Sequence, residues 1–467
     1  MGTVYAKAPE NNSGMYDFDE SVNFDEPIQK PAIKLNGIRT NSQFQARVDK
    51  VHVDGLGRTK DDIIKATVDD LFQATDFEDV IMRAHKVRRA LDSMGCFKEI
   101  GVFIDVSNGP GATPEGLEVT FQVNELSRVV GGVNTTVSEN EGNLVVGVKC
   151  PNVAGRGERV SAEYSMGHRS TSNFSLTATK PYPHQAYVPV LSASIYQQNH
   201  QYPWSGYKLL DRGVLLDVAF RTSPSTKHNI QWEGLVRDTS VLSKNTSFKV
   251  RESSGPQMKS VVRHIVGVDH RDEAIFPRRG AWVQFTSELA GLGGGVAHLK
   301  TELQAQANKE IAPDMVLQWT VAGGVLHDVY GTDISDRFYL GGPASLRGFA
   351  QRGAGPRADG LAVGGSVFWA SGLHLYTPLP FRPGKGGLGE LFRSHFFVNA
   401  GCLAHPEETG ESHATALQDA RVSCGLGVAL RVGGVARFEL NYCVPLRART
   451  ADDTAQGLQF GIAANFL

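Results

Sequence analysis

The sequence has no long hydrophobic run. Nowhere in its 467 residues do about 18 consecutive apolar residues occur, as a membrane-crossing helix would need. Hydrophobic residues make up 41%, and the mean hydropathy is -0.22. A transmembrane helix is therefore excluded. A β-barrel in a membrane is not excluded, because its strands alternate lipid-facing and lumen-facing residues and have an unremarkable average hydropathy.

Cysteine is scarce, and charge is nearly balanced. The five cysteines are dispersed without a C-x-x-C pair, which argues against a disulfide framework and a structural zinc site. They are Cys96, Cys150, Cys402, Cys424 and Cys443. The histidines also lack metal-ligand spacing, so we predict no metal site and no cofactor. The net charge of -2 provides no strong field for nucleic acid, and we expect no nucleic acid partner.

The N-terminus lacks the features of a secretory signal. Residues 1–30 contain no basic segment followed by an apolar core, and they contain several acids, which a matrix-type presequence avoids. These acids are Glu10, Asp17, Asp19, Glu20, Asp25 and Glu26. We interpret residues 1–44 as a disordered acidic arm. If the protein lies in an outer membrane, its targeting signal is therefore not at the N-terminus. That fits a mitochondrion better than a bacterium that exports through a cleaved signal.

Glycine is abundant, with 51 residues, and fits a chain rich in strands and turns. Convincing helical spacing is confined to residues 45–126. This segment predicts a small β-α-α-β-β domain with its helices on one sheet face. Its expected parts are strand 46–53, a helix after an N-cap at Thr59, helix 76–94, strand 97–106 and strand 117–123.

After residue 126 the chain consists of segments of about ten residues that alternate apolar and polar side chains. In one of them, Leu299 and Leu303 alternate with Lys300 and Glu302, and in a strand these pairs lie on opposite faces. A soluble sandwich also alternates. Here, however, the apolar faces recur for more than 300 residues without a second apolar set to pack against, and the opposite faces carry many charges.

We therefore predict that residues 127–467 form a transmembrane β-barrel of about 16 antiparallel strands. The strands are expected to begin near residues 128, 142, 157, 173, 187, 207, 228, 259, 280, 298, 315, 365, 392, 421, 435 and 457. An even number of strands brings both ends of the barrel to the side of the N-terminal domain.

One connection in the predicted barrel is unusually long. From about residue 327 to residue 364 no strand pattern occurs, and such a loop is usually functional or disordered. It contains the run Leu346-Arg347-Gly348-Phe349 after a Gly-Gly pair.

Three interpretations of this run compete. A phosphate-binding loop would need Lys and then Ser or Thr after its last glycine, but Phe349 follows Gly348. A flexible loop would not need several aromatic and apolar residues. The third interpretation is a loop folded into a polar lumen. A buried Arg347 would then need a carboxylate partner, and Glu439 on a late strand is a candidate.

The run from Leu346 to Phe349 resembles the Leu/Ile/Val-Arg-Gly-Phe/Tyr signature of the BamA-type superfamily of outer-membrane assembly and translocation barrels. Other segments are similar to that superfamily in the same order. They are the Asn-x-x-Gly-x-Gly turn at 152–157, the Asp-x-Arg-Asp stretch that continues through Phe-Pro and Arg-Gly at 269–280, and the terminal Phe466-Leu467. The β-α-α-β-β unit resembles a polypeptide-transport-associated (POTRA) domain.

Within the superfamily, one POTRA-like domain without a signal peptide is most similar to the core barrel subunit of the mitochondrial sorting and assembly machinery (SAM). This resemblance implies an insertase for β-barrel precursor polypeptides in the mitochondrial outer membrane, with its N-terminal domain in the intermembrane space. The implied partners are those precursors, accessory SAM subunits on the cytosolic face, the import translocase, inner-membrane contact-site proteins and membrane lipid.

The sequence departs from the superfamily pattern at one position. The strand after the long loop commonly carries Phe-x-Asp-x-Gly, whose Asp pairs with the loop arginine, but here the middle residue is Asn399. Asparagine can accept a hydrogen bond but cannot neutralise Arg347. Either another acid, such as Glu439, pairs with Arg347, or the loop is held less tightly.

The first and last barrel strands are the expected lateral gate. Gly131 and Gly132 lie in the first strand, and glycine weakens strand pairing. In the last strand, Gln459, Gly461 and Phe466 occur at positions similar to the β-signal of mitochondrial barrel precursors, although any final barrel strand alternates in this way. We hypothesise that a precursor adds its terminal strand to the opened first strand by β-augmentation.

Two other classes of function remain open. One is a passive outer-membrane pore or a protein-translocation channel, and a passive pore would need neither the N-terminal domain nor the arginine loop. The other is an enzyme, such as an esterase fused to a barrel. Because no G-x-S-x-G motif occurs, we predict that the chain is not an enzyme and has no catalytic residues.

Overall fold

The structure is a computed structural model, and it describes residues 3–7, 45–109, 111–137, 142–167, 171–183, 187–244, 246–379, 388–405, 419–432 and 436–463. The chain forms two compact units. The first contains Met1–Asn134, Val146–Glu163 and Ser175–Ser194, and the second contains Thr135–Val145, Tyr164–Phe174 and Ile195–Leu467.

A small α+β domain comes first. Its elements are strands β1 (Thr3–Lys7) and β2 (Arg47–Asp54), helix α1 (Asp61–Val68), a 3-10 turn (Asp69–Gln73), helix α2 (Phe77–Ser93), and strands β3 (Phe97–Val106) and β4 (Gly116–Glu125). Strand β4 pairs in parallel with β2 and antiparallel with β3. From β2 onward the order of elements is the predicted one.

One apolar core joins the helices to the sheet. Val80, Val87 and Leu91 share one face of α2, as their spacings of seven and four residues require. They pack in the same buried cluster as Val51 of β2 and Phe121 of β4. Burial of this stripe against the sheet is what stabilises the small domain.

Thr59 does not cap the first helix, contrary to our expectation. Helix α1 begins at Asp61 after Lys60, and no side chain among the described residues caps it. The Thr59 hydroxyl instead donates to Glu125 Oε1 at 2.6 Å. Glu125 also accepts from the backbone N–H groups of residues 57–59. The local sequence does not reveal this acceptor because it lies 66 positions away.

The N-terminal arm contributes a short strand. Strand β1 pairs in parallel with β2, with Thr3 opposite Lys50 and Lys7 opposite Asp54, so the sheet order is β1-β2-β4-β3. The segment expected to be disordered therefore includes five residues of extended structure. The acids behind that expectation begin only at Glu10, whereas β1 contains β-branched and aromatic residues that favour strands. Residues 8–44 lie outside the described residues.

The later strands form a 16-stranded sheet. Its first eleven strands are β5 (Val130–Val137), β6 (Gly142–Pro151), β7 (Arg159–Gly167), β8 (Ser172–Pro181), β9 (Val190–Tyr202), β10 (Tyr207–Arg221), β11 (Thr226–Val241), β12 (Gly255–Asp269), β13 (Gly280–Gly294), β14 (Ala297–Ala312) and β15 (Met315–Tyr330). Its last five are β18 (Val367–Thr377), β19 (Phe392–Ala404), β20 (Arg421–Val432), β21 (Ala436–Arg447) and β22 (Gly457–Ala463). Strands β16 (Arg357–Ala358) and β17 (Leu361–Ala362) form a separate hairpin between β15 and β18. Helix α3 (Phe248–Glu252) lies between β11 and β12.

Consecutive strands of this sheet are neighbours, and β15 pairs with β18 across the long loop. Strands β5 and β22 stand at the two ends of the order. Every strand begins within four residues of its predicted start, and the largest difference is β12, which begins at Gly255 rather than 259. The prediction of a barrel of 16 antiparallel strands is confirmed.

Burial on these strands is the reverse of that in a soluble protein. On β21, Arg437, Glu439 and Asn441 are at most 3% exposed, whereas Leu440 and Tyr442 are 49% and 47% exposed. The two-residue alternation therefore points charged and polar side chains inward and apolar side chains outward, as a barrel surrounded by lipid requires.

In the part of the chain that the structure describes, no helix has the length and apolar character to span a membrane.

The long connection runs from residue 331 to residue 366 and is hereafter the lumen loop. It begins four residues later than expected because β15 continues to Tyr330. A 3-10 turn (Ile334–Asp336) opens it, and the β16–β17 hairpin lies near its end.

Candidate functional site

Arg347 of the lumen loop forms an ion pair with Glu439 of β21. Its Nη2 lies 2.8 Å and its Nε 3.2 Å from Glu439 Oε2, and both side chains are fully buried. The guanidinium also lies 5.2 Å from the centre of the Phe397 ring on β19. A charge removed from water is costly without a partner, and Glu439 supplies that partner to Arg347.

Other side chains of the barrel wall hold Glu439 in place. The Tyr376 hydroxyl donates to Oε1 at 3.2 Å, and Asn441 Nδ2 donates to Oε2 at 2.9 Å. Arg437 Nε lies 3.0 Å from Oε1. Both carboxylate oxygens are therefore oriented by strands β18 and β21, so Arg347 meets an acceptor of defined geometry.

The backbone beside Arg347 is bound by the last strand. Gly348 N–H donates to Gln459 Oε1 at 2.9 Å, and Gln459 Nε2 donates to the Phe349 carbonyl at 3.0 Å. Because both ends of one amide are used, Gln459 makes a two-point bridge from β22 to the lumen loop. Ala455, just before β22, adds a backbone hydrogen bond to the Gly348 carbonyl at 2.9 Å.

Both the backbone conformation and the surrounding atoms require a glycine at position 348. Its φ is +83°, a region that favours glycine. A Cβ at this position would lie 2.9 Å from the Cβ of Ser423 on β20. The Ser423 hydroxyl donates to the Arg347 carbonyl, so the wall and the loop are in direct contact here.

Leu346 and Phe349 fill an apolar cluster inside the barrel. Both are fully buried. The cluster joins the lumen loop to β15, β18 and β19, and its other members are Ala322, Leu326, Phe338, Leu340, Ala354, Phe368, Ala370 and Leu403. Burial of a side chain of this size is worth about 1.5–3 kcal/mol, so the apolar residues of the motif hold the loop as much as its arginine does.

A second charged cluster holds the start of the lumen loop. Asp336 is buried, and its Oδ1 accepts from Lys259 Nζ at 2.7 Å and from Arg237 Nη1 at 2.9 Å. Lys259 also pairs with Glu288 at 3.1 Å. This cluster was not predicted from the sequence. The available signal was a lysine and an arginine at inward positions of β12 and β11, together with an acid soon after β15.

The Asn-x-x-Gly-x-Gly turn after β6 binds the N-terminal domain within the first compact unit. Asn152 Nδ2 donates to the Thr59 hydroxyl at 2.8 Å, and Asn152 Oδ1 accepts from Gly157 N–H at 2.9 Å. Arg156 forms an ion pair with Asp62 of α1 at 2.7 Å. This motif therefore attaches the small domain to a turn of the barrel.

Comparison with known proteins places these features in one family. The Omp85 superfamily domain matches residues 152–466, a range that includes the lumen loop, Glu439 and Gln459. This chain belongs to the Omp85 superfamily.

Full-length relatives are more specific. The chain is 42% identical over 477 residues to the sorting and assembly machinery component 50 homologs of Mus musculus and of Homo sapiens, with 100% of each chain covered. The structure of BamA from Haemophilus ducreyi lacking POTRA domains 1-3 is similar with a TM-score of 0.73 at 15% identity. That match covers 90% of this chain and 84% of the other, and it shows a shared fold. The chain is a β-barrel protein of the mitochondrial outer membrane.

Asn399 occupies a supporting position in this Omp85 barrel. It is 1% exposed on β19, and its Oδ1 lies 3.2 Å from the Ser423 hydroxyl oxygen. Among the described residues its Nδ2 has no hydrogen-bond partner. Asn399 thus contacts the Arg347 backbone through Ser423, whereas Glu439 provides the negative charge.

Four of the residues expected at the gate of this Omp85 barrel lie on its first and last strands: Gly131, Gly132, Gln459 and Gly461. Gly131 and Gly132 belong to β5, and a Cβ at Gly132 would meet no atom of a described residue within 4 Å. Gly461 of β22 is paired in register with Glu439 of β21. Phe466 lies outside the described residues.

Proposed function

We propose that this Omp85 barrel folds β-barrel precursors and inserts them into the mitochondrial outer membrane through a lateral gate between β5 and β22. The observation that carries this proposal is the Gln459 bridge, which binds the lumen loop to the last strand itself. A change in the loop is thereby transmitted to the strand that has to part from β5. The 42% identity to sorting and assembly machinery relatives supports the same role.

Opening the gate creates two free strand edges. Their backbone N–H and C=O groups cost several kcal/mol each in lipid if they stay unpaired. A precursor strand that adds to β5 pairs these groups, and successive hairpins then enter the membrane without exposing theirs. Hydrogen-bond exchange is sufficient for this process, so it needs no catalytic side chain and no cofactor.

The N-terminal domain would face the intermembrane space. The even number of strands brings both ends of the barrel to one side, and the domain directly precedes β5. Strand β3 is an edge of its sheet and exposes Phe103 and Val106, which suits the transient binding of extended precursors. The partners in this arrangement are the precursors, accessory SAM subunits on the cytosolic face, the import translocase and inner-membrane contact-site proteins.

A disulfide across the gate tests the proposal. In a variant whose five native cysteines are replaced by serine, Phe460→Cys is combined in turn with a cysteine at each position from Val130 to Asn134. Oxidation of a pair that crosslinks should block assembly of a radiolabelled precursor, and reduction should restore it. Normal assembly in a fully crosslinked sample would refute the gate.

The matched control uses the same cysteine on the other side of β22. Leu440 of β21 is paired in register with Phe460, and both side chains are exposed on the outer face. A disulfide between Leu440→Cys and Phe460→Cys joins two strands that stay paired when the gate opens. It should leave precursor assembly unchanged, and it separates the effect of closing the gate from that of any disulfide in β22.

A further inference from the structure

The turn between β12 and β13 folds into the barrel. Its Phe276 ring packs edge-on against Tyr376 of β18, with 6.1 Å between ring centres. The Arg437 guanidinium of β21 lies 5.8 Å from the centre of the same ring. Strands β12 and β13 are the eighth and ninth of the sheet, whereas β18 and β21 are the twelfth and fifteenth. A turn that stayed at the rim beside its own strands would not reach them.

Hydrogen bonds within the turn itself define its shape. Asp272 Oδ1 accepts from the backbone N–H groups of Glu273, Arg278 and Arg279 at 3.0, 3.0 and 3.3 Å. Arg271 is held by Asp269 at 3.0 and 2.9 Å. These bonds pull the two ends of the turn together and leave Phe276 at its tip.

The position that ends the turn, Gly280, requires a glycine for steric reasons. Gly280 has a φ of +101°, and a Cβ there would overlap the carbonyl oxygen of His270. The Asp-x-Arg-Asp, Phe-Pro and Arg-Gly residues noted in the sequence therefore shape one turn, whose residues 270–279 are hereafter called the wedge.

The wedge touches the barrel wall at the residues that orient Glu439. Tyr376 donates to one oxygen of Glu439, and Arg437 lies 3.0 Å from the same oxygen. The Arg437 guanidinium also lies 5.1 Å from the centre of the Tyr376 ring, so Phe276, Tyr376 and Arg437 form one packed group. Glu439 in turn binds Arg347.

A surface ion pair accompanies this packing. Glu273 of the wedge pairs with Arg431 of β20, and both side chains are about one-third exposed. A pair with this exposure contributes little by itself. The aromatic and cationic contacts of Phe276 therefore contribute more than this ion pair to the contact of the wedge with β18 and β21.

We propose that Phe276 is a positioning residue for the lumen loop. By packing against Tyr376 and Arg437, it keeps both side chains aimed at Glu439, and Glu439 can then hold Arg347. The chain of contacts runs from one end of the barrel interior to the motif of the loop. This inference rests on the proposed function only for its effect on precursors, because loop anchoring can be measured separately.

The test uses Cys443 as a reporter of loop anchoring. Cys443 of β21 is fully buried and lies on the inward face of the strand with Glu439 and Asn441. In a protein that keeps only this cysteine, a water-soluble maleimide should react slowly while the loop is anchored. Phe276→Ala should raise the labelling rate several-fold, toward that of Arg347→Ala, and Phe276→Leu should recover most of the protection.

Arg279→Ala is the matched control, because its side chain belongs to the same turn but is 77% exposed and pairs with Glu310. It should label like the parent protein. Equal labelling of Phe276→Ala and the parent would overturn the positioning role, whatever the precursor assay gives. A labelling increase supports that role, and a precursor assay on the same variant then tests the proposed function independently.

Discussion

Gln459 of the last strand binds the two residues that follow Arg347, accepting from Gly348 N–H and donating to the Phe349 carbonyl. The loop that fills the barrel interior is therefore attached to the strand at one end of the sheet order, as well as to β21 through Glu439. In the proposed mechanism, loop anchoring is coupled to gate opening, and each contact of the anchor can be tested separately.

Removal of the loop arginine should destabilise the barrel. Arg347→Met leaves Glu439 buried without its closest cation, and breaking a buried pair costs about 3–5 kcal/mol. Glu439→Gln should be more harmful, because both Arg347 and Arg437 lose their carboxylate. The urea midpoint of unfolding of the detergent-solubilised barrel, detected by its heat-modifiable mobility on a gel, ranks the stability of these variants. Arg449→Ala is the control, because this arginine pairs with Asp419 at an exposed position, and it should lower the free energy of unfolding by less than about 1 kcal/mol. Equal midpoints for all three would contradict the anchor.

Loss of the Gln459 bridge should slow precursor assembly more than it unfolds the protein. Gln459→Ala removes two hydrogen bonds, each worth about 0.5–1.5 kcal/mol, and the remaining loop anchors are unchanged. The rate of radiolabelled precursor assembly in isolated mitochondria is the measurement. Leu458→Ala changes the neighbouring, outward-facing residue, which is 73% exposed, and should assemble precursors at the normal rate. If both variants behave alike, the bridge has no special role.

A methyl group at Gly348 should release the loop. Gly348→Ala places a Cβ 2.9 Å from Ser423 Cβ and also strains a φ of +83°. Gly360→Ala separates the two effects, because Gly360 has a φ of +80° but no atom within 4 Å of its added Cβ. The control should cost only the conformational strain, about 1–2 kcal/mol. Protease cleavage within the lumen loop should increase for Gly348→Ala alone, and equal cleavage would mean that the Ser423 contact is unimportant.

The hydrogen bonds that Glu125 accepts in the N-terminal domain should weaken in acid. Burial alone would raise the pKa of Glu125, but hydrogen bonds from the Thr59 hydroxyl and the backbone N–H groups of residues 57–59 outweigh it and lower the pKa. A lowered carboxyl pKa contributes stability that is present above about pH 4.5 and is lost as pH falls through the folded value. Amide exchange at residues 57–59, compared at each pH between the parent and Glu125→Gln, should differ near neutrality and converge in acid.

Glu118→Gln is the control for this prediction. It lies on the same strand and pairs with His52 at 2.7 Å, where both side chains are about one-quarter exposed. Exchange at residues 57–59 should not respond to it. A constant difference between Glu125→Gln and the parent from neutral pH to pH 3 would mean that the Glu125 charge is not the cause.

The strand count and the sidedness of the barrel followed from the sequence because alternation is a local property. Each residue of a strand points opposite to its neighbour, so Leu440 and Glu439 had to lie on different faces wherever the strand was placed. The strand starts were correct to within four residues for the same reason. Thr59 was misjudged, because its hydroxyl found a carboxylate on a distant strand rather than a helix end.

The sequence by itself determined a lipid-facing barrel and a loop whose arginine needed an acid. Only the tertiary structure decided that Gln459 hydrogen-bonds to the loop backbone, that Asp336 is a second attachment point of the lumen loop, and that the turn carrying Phe276 folds inward. Arg347 and Glu439 lie 92 positions apart, and Gly348 and Gln459 lie 111 apart. Such pairs meet only after strand register and the path of the loop are set, and these depend on the packing of the whole barrel interior.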